Sequence, residues 1–446
     1  MSAVSFIHTS DVHLGHRQFN LPERFVDFSR VFAGVVDCAL ENNVDFVVIG
    51  GDFFHKRAID AETLVEAIAL LDRLKDRGIP VVAIEGNHDK AFYLDKSSWM
   101  HFLNHQGYLY LLKPAYEEGR VALREWDDTA REGNILTIKG VRFIGLGYLG
   151  ATTAQRLTEL AENLLPADEP TVMLLHAAVD KLLGQDLGGI KKEVLDAYRD
   201  KVDYLALGHI HGRQEMDGWI YNPGSLECCH IDEVGQDKGY YLVSLQGREK
   251  EVRYVQSSPR PVITITLDIS GCSDAEEARK RIMAVLAEEK PVSQGSGDRK
   301  PMLRLTLYGN IDFSALAIDT NALAADIKVT YDCLYVEVVN NVNLPALTGL
   351  ASGEEILSRL DVERRVLKEM VEHHRPEWRD SSDSLVNLVM QVKNAVLAGV
   401  DSPDVINGVR LVADELKLAD TIAARDQAEA AAAREQAAAG GEPRED

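Results

Sequence analysis

The chain is short of positive charge: 48 lysines and arginines stand against 71 aspartates and glutamates, a formal net charge of -23. That deficit excludes a surface that grips nucleic acid by bulk charge, because such affinity comes from cations neutralising phosphates. It leaves room for a local field of the opposite sign in a cleft, since net charge is a whole-chain sum. Cysteine is scarce too. The five residues Cys38, Cys228, Cys229, Cys272 and Cys333 show no metal-binding spacing, and an odd, scattered set implies reduced thiols rather than a disulfide framework. Long apolar runs are missing, Val44–Ile49 and Tyr204–Leu207 being far too short to span a bilayer. No basic n-region with an apolar stretch opens the chain. No glycine-rich Walker loop occurs, so any dependence on ATP would have to come from a partner. These absences leave a soluble, intracellular protein with no membrane role. It is 46% hydrophobic and, at 446 residues, long enough for two or three domains.

Residues 1–256 read as repeated strand, polar turn and helix. Val4–His8 is a buried strand followed by Ser10-Asp11-Val12-His13-Leu14-Gly15. Pro22–Asn43 carries Phe25, Phe28, Phe32, Val35 and Ala39 at helical spacing. Val44–Ile49 is a strand ending in Gly50-Gly51-Asp52, and Ala61–Arg77 is an amphipathic helix stopped by Gly78. Pro80–Ile84 is a strand ending in Glu85-Gly86-Asn87-His88-Asp89. Further strands are expected at Val141–Leu146, Thr171–Leu175 and Val202–Leu207. The alternation is that of a layered α/β domain. Gln256–Pro261 reads as a linker to a small α+β domain, residues 257–345. Its elements are Val262–Asp268, a helix over Asp274–Glu289, Met302–Tyr308 and Cys333–Val339, with a possible second helix near Ser314–Asp326. Residues 346–420 read as helical, with Leu385, Leu388, Val389, Val392 and Val396 on one face. That face suits either packing on its own neighbours or docking into a partner's groove. The Ala/Glu-rich stretch 421–446 has the composition of a disordered tail.

The polar residues fall where α/β folds bind ligands, just beyond the C-terminal ends of strands. Five segments supply them: Asp11-x-His13, Gly-Asp52, Asn87-His88, His176 and His209-x-His211. A carboxylate oxygen can bridge two cations, imidazole nitrogens fill other positions, and an amide oxygen adds a neutral ligand. Such mixed nitrogen and oxygen ligation suits manganese, iron or zinc and excludes a thiolate site. Asp11-x-His13 or Gly-Asp52 alone is a common turn. His209-Ile210-His211 says more, because both histidines face the same way if the segment is extended. All five in order after successive strands point to one metal site. The remaining histidines read differently. His8 is a core residue, and His373-His374 is a solvated pair on a charged helix. His101, His105 and His230 either line the cleft or pack, while His55 is a candidate for contacting substrate. Cys228-Cys229 reads as buried packing.

Motif by motif, these residues resemble the calcineurin-like metallophosphoesterase superfamily. Three longer stretches are similar to its double-strand-break-repair nucleases, the SbcD or Mre-eleven type: His13-Leu14-Gly15-His16-Arg17-Gln18-Phe19, Gly50-Gly51-Asp52-Phe53-Phe54-His55 and Asn222-Pro223-Gly224-Ser225-Leu226-Glu227. The resemblance implies a sandwich of two sheets flanked by helices over 1–256, with the small domain as a cap on the cleft. It implies two manganese ions, one on Asp11, His13, Asp52 and His211, the other on Asp52, Asn87, His176 and His209. It casts His88 as the residue assisting the departing oxygen and His55 as one that orients DNA. It also implies a homodimer and a coiled-coil ABC ATPase partner of the SbcC or Rad-fifty type, bound through the C-terminal helices. The same metal core would serve a phosphomonoesterase or a cyclic-nucleotide diesterase. A non-catalytic scaffold for the ATPase is the rival of another class.

Overall fold

The computed structural model describes residues 3–92, 95, 97–180, 189–289, 299–343 and 381–397, with scattered single positions between 364 and 410. The expected tail at 421–446, the His373-His374 pair and most of 346–420 lie outside the described residues. The chain forms two compact units. The first comprises Met1–Thr264, Val292–Arg304 and Asp332–Tyr335; the second comprises Ile265–Pro291, Leu305–Tyr331 and Val336–Asp446.

In the first unit the strands run β1 (Val4–Thr9), β2 (Phe46–Ile49), β3 (Val81–Ala83), β4 (Tyr110–Leu111), β5 (Ala115–Glu117), β6 (Arg120–Ala122), β7 (Ile135–Ile138) and β8 (Val141–Gly147). They continue with β9 (Thr171–His176), β10 (Tyr204–Gly208), β11 (Gln214–Met216), β12 (Ile220–Asn222), β13 (Gly239–Gln246) and β14 (Glu249–Gln256). Two six-stranded sheets result, in the orders β14-β13-β1-β2-β3-β4 and β11-β12-β10-β9-β8-β7. The strands β1-β2-β3-β4 of the first sheet and β8-β9-β10-β12 of the second run parallel.

The period-two geometry of a strand explains how two sheets become a sandwich. Phe6, Phe46, Val48, Val82, Val172, Leu174, Tyr204 and Ala206 share one core between the sheets. The alternate residues of the first sheet, Ile7, Val47, Ile49, Val81 and Ala83, pack with Phe32 and Val35 of α1 (Pro22–Glu41) and Leu71 of α2 (Ala61–Lys75). Met173, Leu175, Leu205 and Leu207 of the second sheet pack instead with Leu157 and Leu160 beneath it. Both faces of every central strand are dry, so those strands read as continuous apolar runs rather than alternating ones.

Local signals set the helix starts. Pro22 opens α1, where its missing N–H loses nothing. Asp60 caps α2 by accepting from the Thr63 amide at 2.8 Å. After α3 (Trp99–His105) comes α4 (Thr153–Asn163), entered through a 3-10 turn at Gly150–Thr152 without a side-chain cap, and then the short α5 (Lys192–Asp196).

A three-stranded sheet in the order β15-β16-β17 is made by Val262–Asp268, Met302–Asn310 and Tyr335–Asn343. The second unit carries α6 (Ala275–Glu289) and α7 (Thr320–Thr330), the latter capped by Asp319. The helix expected near Ser314–Asp326 is thus split: Ala315–Ala317 is a 3-10 turn and α7 starts later. Among the described side chains of α8 (Ser382–Leu397), Leu385, Val386 and Met390 are the buried apolar ones, Leu388 and Val392 are half-buried, and Val389, expected on the apolar face, is exposed. No described helix is long and apolar enough to cross a membrane.

The stretch read as a linker holds a buried anchor. Arg260 donates to Asp27 Oδ1 at 2.9 Å, and its amide donates to Glu227 at 2.8 Å. Arg24, wholly buried on α1, bonds Asp27 at 2.7 Å, Glu227 at 3.1 Å, the Cys228 carbonyl at 2.9 Å and Gln18 at 2.9 Å. Charges taken out of water persist only when paired and hydrogen-bonded, and these are.

Candidate metal centre

The loops after β1, β2, β3, β9 and β10 converge, and each brings polar residues. Asp11, His13, Asp52 and His209 all sit at positive φ, between 50° and 93°, a region costly for side chains other than glycine. Backbone bonds from the Asp11 amide to the Gly51 carbonyl and from the His13 amide to the Asp52 carbonyl, both 3.0 Å, hold the first two turns together. Gly86 is required for a plain steric reason. A Cβ there would lie 2.0 Å from Asp52 Oδ1.

Asp52 is the hub. Its Oδ2 lies 3.3 Å from His176 Nε2 and 4.0 Å from His13 Nε2, and its Oδ1 accepts from the His88 amide at 2.8 Å. Asn87 Oδ1 is 3.3 Å from His176 Nε2. On the other side His13 Nε2 and His211 Nε2 stand 3.2 Å apart, and His211 Nε2 is 4.0 Å from Asp11 Oδ1. Asp11 accepts the His209 amide at 3.0 Å, and the His209 ring packs 5.1 Å from that of His176. All seven expected ligand residues therefore meet in one place, in two groups that share Asp52. His55 and His88 join them, their rings 5.5 and 5.1 Å from that of His13.

The donor set fits cations. Carboxylate oxygens, an amide oxygen and imidazole nitrogens point at one another, an arrangement that repels itself unless positive charge lies between them. The protonation balance carries the same sign. Burial pushes His176 down, yet the Asp52 and Asp11 charges and the Gly50 carbonyl outweigh it and lift the imidazole to about 9. Burial works to raise Asp52, but the same histidine, His13 and the His88 amide hold it well below the usual carboxylate range. The protein thus keeps a proton between two groups that a cation would bridge instead. Burial holds His13 well below its ordinary value and, with His16 and His88 adding to it, His55 at about 3. Both are neutral imidazoles, as ligation or stacking requires.

Glu233 and Lys238 were not legible in the sequence, and neither was the work of Asn222, Ser225 and Asp89. Glu233 accepts from His211 Nδ1 at 2.6 Å, which turns Nε2 toward the cluster. Lys238 binds Glu233 at 2.7 Å and the His211 carbonyl at 3.1 Å. Asn222 donates to the Ile210 and Gly212 carbonyls, and the Ser225 amide to that of His211, so the Asn222–Glu227 segment clamps the His209–His211 loop. Asp89 accepts the Phe53, Phe54 and Gly86 amides at 2.9–3.1 Å, tying the β2 and β3 loops together. Burial and the Asp52 charge raise Asp89 to about 7.

A Cys229 sulfur lies with ring nitrogens of His13 and His211, all within 4.8 Å of one another. Burial pushes that thiol well above its ordinary value, so it stays a protonated, packed group rather than a thiolate ligand. Other readings hold. His8 is buried between the Tyr204 hydroxyl, 2.9 Å away, and the Leu207 carbonyl, and burial pushes it to about 3. His101 and His105 pair with each other beside Lys113, on α3, and His230 is exposed, its ring 6.3 Å from that of His211.

Residues 4–213 match the family model described as calcineurin-like phosphoesterase. The chain is 35% identical to the DNA double-strand break repair protein Mre11 of Archaeoglobus fulgidus over 240 residues, 52% of this chain and 52% of that protein. It is 24% identical to the protein of the same name from Saccharolobus solfataricus over 420 residues, 91% of this chain and 97% of that one. With the Haloferax volcanii protein it shares 30% over 280 residues, 62% and 57% of the two chains. The match thus spans about half the length of the first of these relatives.

Proposed function

Through residues 4–213 this chain belongs to the calcineurin-like phosphoesterase family, and from that membership we propose that it is a manganese-dependent nuclease of DNA double-strand-break repair. The observation that carries the reading is the paired cluster around Asp52, where oxygen and nitrogen atoms from five loops converge on one place. Asp11, His13, Asp52 and His211 would hold one ion. Asp52, Asn87, His176 and His209 would hold the other. Bound there, the two ions would polarise a phosphodiester, activate the attacking water and neutralise charge on the phosphoryl oxygens.

The chain's own residues do the rest. His88 donates from Nδ1 to the His55 carbonyl at 2.6 Å, which leaves Nε2 as the nitrogen that takes up and delivers a proton to the departing sugar oxygen. His55 stacks on His16 with ring centroids 3.6 Å apart, a rigid pair suited to orienting the strand. The acidity of the whole chain is relieved locally. Lys56, Arg57 and Lys90 follow the His55 and Asp89 loops, and Arg57 donates to the Asn87 carbonyl at 3.3 Å. DNA as substrate, a homodimer and a coiled-coil ABC ATPase partner of the Rad-fifty type, in an intracellular setting, complete the proposal. DNA as substrate is supported by the names of the matched relatives, DNA double-strand break repair proteins; the dimer, the ATPase and the setting are what the resemblance of the motifs implies.

The test is cleavage of linear duplex and single-stranded DNA with manganese, magnesium or chelator, beside a small chromogenic phosphate diester. Manganese-dependent DNA cleavage that His88→Ala abolishes, with both ions still bound to the variant, is the expected result. Turnover of the small ester with none on DNA would refute the nuclease reading and make the protein a phosphoesterase of small substrates.

A further inference from the structure

A neutral imidazole ligates a cation through one nitrogen while the other carries the proton, so the partner of that second nitrogen decides whether a histidine can serve. His176 is settled by the backbone: its Nδ1 lies 2.8 Å from the Gly50 carbonyl, a group that accepts and cannot donate. His211 is settled by a side chain. Its Nδ1 lies 2.6 Å from Glu233 Oε1, on a carboxylate that is itself buried. The second oxygen, Oε2, accepts from the Cys229 amide at 3.0 Å and from Lys238 Nζ at 2.7 Å. Lys238 is buried too, and its ammonium group also donates to the Ser225 hydroxyl at 2.9 Å and the His211 carbonyl at 3.1 Å. A ring, an amide and an ammonium group thus surround Glu233 as donors, and a group that accepts at both ends is what they require.

We infer that Glu233 is a positioning residue for one of the two ions: held by Lys238 and the Cys229 amide, its carboxylate keeps the His211 proton on Nδ1 and frees Nε2 for the ion shared with Asp11 and His13. The role rests on the two-metal nuclease reading and deepens it. Glutamine, the isostere, shows what the negative carboxylate does. With its oxygen toward His211, its NH2 group would meet Lys238 and the Cys229 amide, donor against donor in a buried place. Turned round, its oxygen satisfies those two donors and its NH2 group faces Nδ1, which must then accept. The ring proton moves to Nε2, and the nitrogen that pointed at the cation is blocked. The other ion's position is insulated from this change, because His176 is fixed by Gly50 and faces Asn87 Oδ1 at 3.3 Å.

The experiment is titration of the metal-free, full-length protein with manganese, bound ions being counted by loss of the free-ion electron paramagnetic resonance signal. DNA cleavage is followed on the same samples. The unaltered protein should take up two ions. Glu233→Gln should bind one of them on the order of 10- to 100-fold more weakly, the loss usual when the partner of a metal-ligating histidine is removed, and should keep the other. Its bound manganese should show a single-ion spectrum where the unaltered protein shows a spin-coupled pair. Thermal unfolding in chelator checks the fold. Should the single variant unfold, Glu233→Gln combined with Lys238→Met, which removes the buried ammonium left without its carboxylate, should lose the same ion. Combination identifies that ion: Glu233→Gln added to His211→Ala should cost nothing further, whereas added to Asn87→Ala it should weaken both ions. Two ions held at unaltered affinity, equal weakening of both by Glu233→Gln alone, or a further loss on top of His211→Ala overturns the role. Failure of the nuclease reading is seen separately, as an unaltered protein that binds two ions and loses one in the variant yet cleaves no DNA.

Discussion

Replacing Gly86 by alanine adds one methyl group at the most crowded point of the centre. The new Cβ would stand 2.0 Å from Asp52 Oδ1, 2.4 Å from the Asp52 amide nitrogen and 2.6 Å from its Cγ. Ordinary carbon–oxygen contact needs more than 3 Å, so the carboxylate must retreat by roughly 1 Å. It has little freedom to do so, bound as it is to the His88 amide at 2.8 Å and facing His176 at 3.3 Å, on a backbone already at φ 51°. Overpacking of this kind costs about 1–3 kcal/mol of stability. The larger effect falls on the site, because Asp52 is the ligand proposed to be shared by both ions. A misplacement of about 1 Å at a catalytic group lowers rates by roughly 100-fold, and affinity for both ions should fall together. Gly34→Ala is the matched control. Its Cβ would meet nothing within 4 Å inside α1, and helix propensity alone should make it neutral or stabilising by up to about 1 kcal/mol. Bound manganese is measured by elemental analysis after gel filtration, stability by thermal unfolding, and activity on DNA. If Gly86→Ala holds two ions with unaltered affinity and cleaves normally, the placement of Asp52 between the two groups is wrong.

Two further perturbations probe the scaffold. Arg24→Met removes a wholly buried guanidinium; Arg260 still pairs Asp27, but Glu227 loses its ion pair and Gln18 and the Cys228 carbonyl lose a donor, and a loss of about 3 kcal/mol is expected in urea unfolding. A change below about 1 kcal/mol would mean that the buried network contributes nothing net. His8→Gln tests acid sensitivity. Burial lowers the folded-state value of His8 to about 3, so the unfolded chain binds the proton more readily, and stability declines as pH falls from about 6.5 toward 3. His8 alone contributes a slope of about 1.4 kcal/mol per pH unit in that window. Glutamine does not titrate, so unfolding followed from pH 6.5 to 4 should be less steep by that amount; an unaltered slope would show that His8 is protonated without penalty.

What the sequence revealed and what it hid divide along a physical line. The sandwich was legible because central strands are short apolar runs that give way to polar residues, and the proposed ligands Asp11, Asp52, Asn87, His176 and His209 stand at the ends of those runs or within four residues beyond them. Backbone torsion was half legible, since aspartate and histidine tolerate positive φ better than branched residues do, and Asp11, His13, Asp52 and His209 adopt it. Contacts between distant segments were not. Glu233 reaches His211 over 22 residues, Asp89 ties amides 35 and 36 residues away, and Arg260 meets Asp27 across 233. The hairpin β13–β14 escaped as well, because its second strand alternates with exposed polar residues and carries little apolar signal. The Asn222–Glu227 motif joins the two kinds of information. Its match to a family stretch could be seen at once, but its work, holding the His209–His211 loop by Asn222 and Ser225 and meeting Arg24 through Glu227, exists only in three dimensions. The strained turns and the convergent acceptors then bear on one another. Left-handed backbone costs about 1–3 kcal/mol at each residue and persists only where the surroundings enforce it. Here the clamp, the Asp89 bonds and the inter-loop backbone bonds supply that enforcement, so the proposed ligands are held by the protein's own contacts.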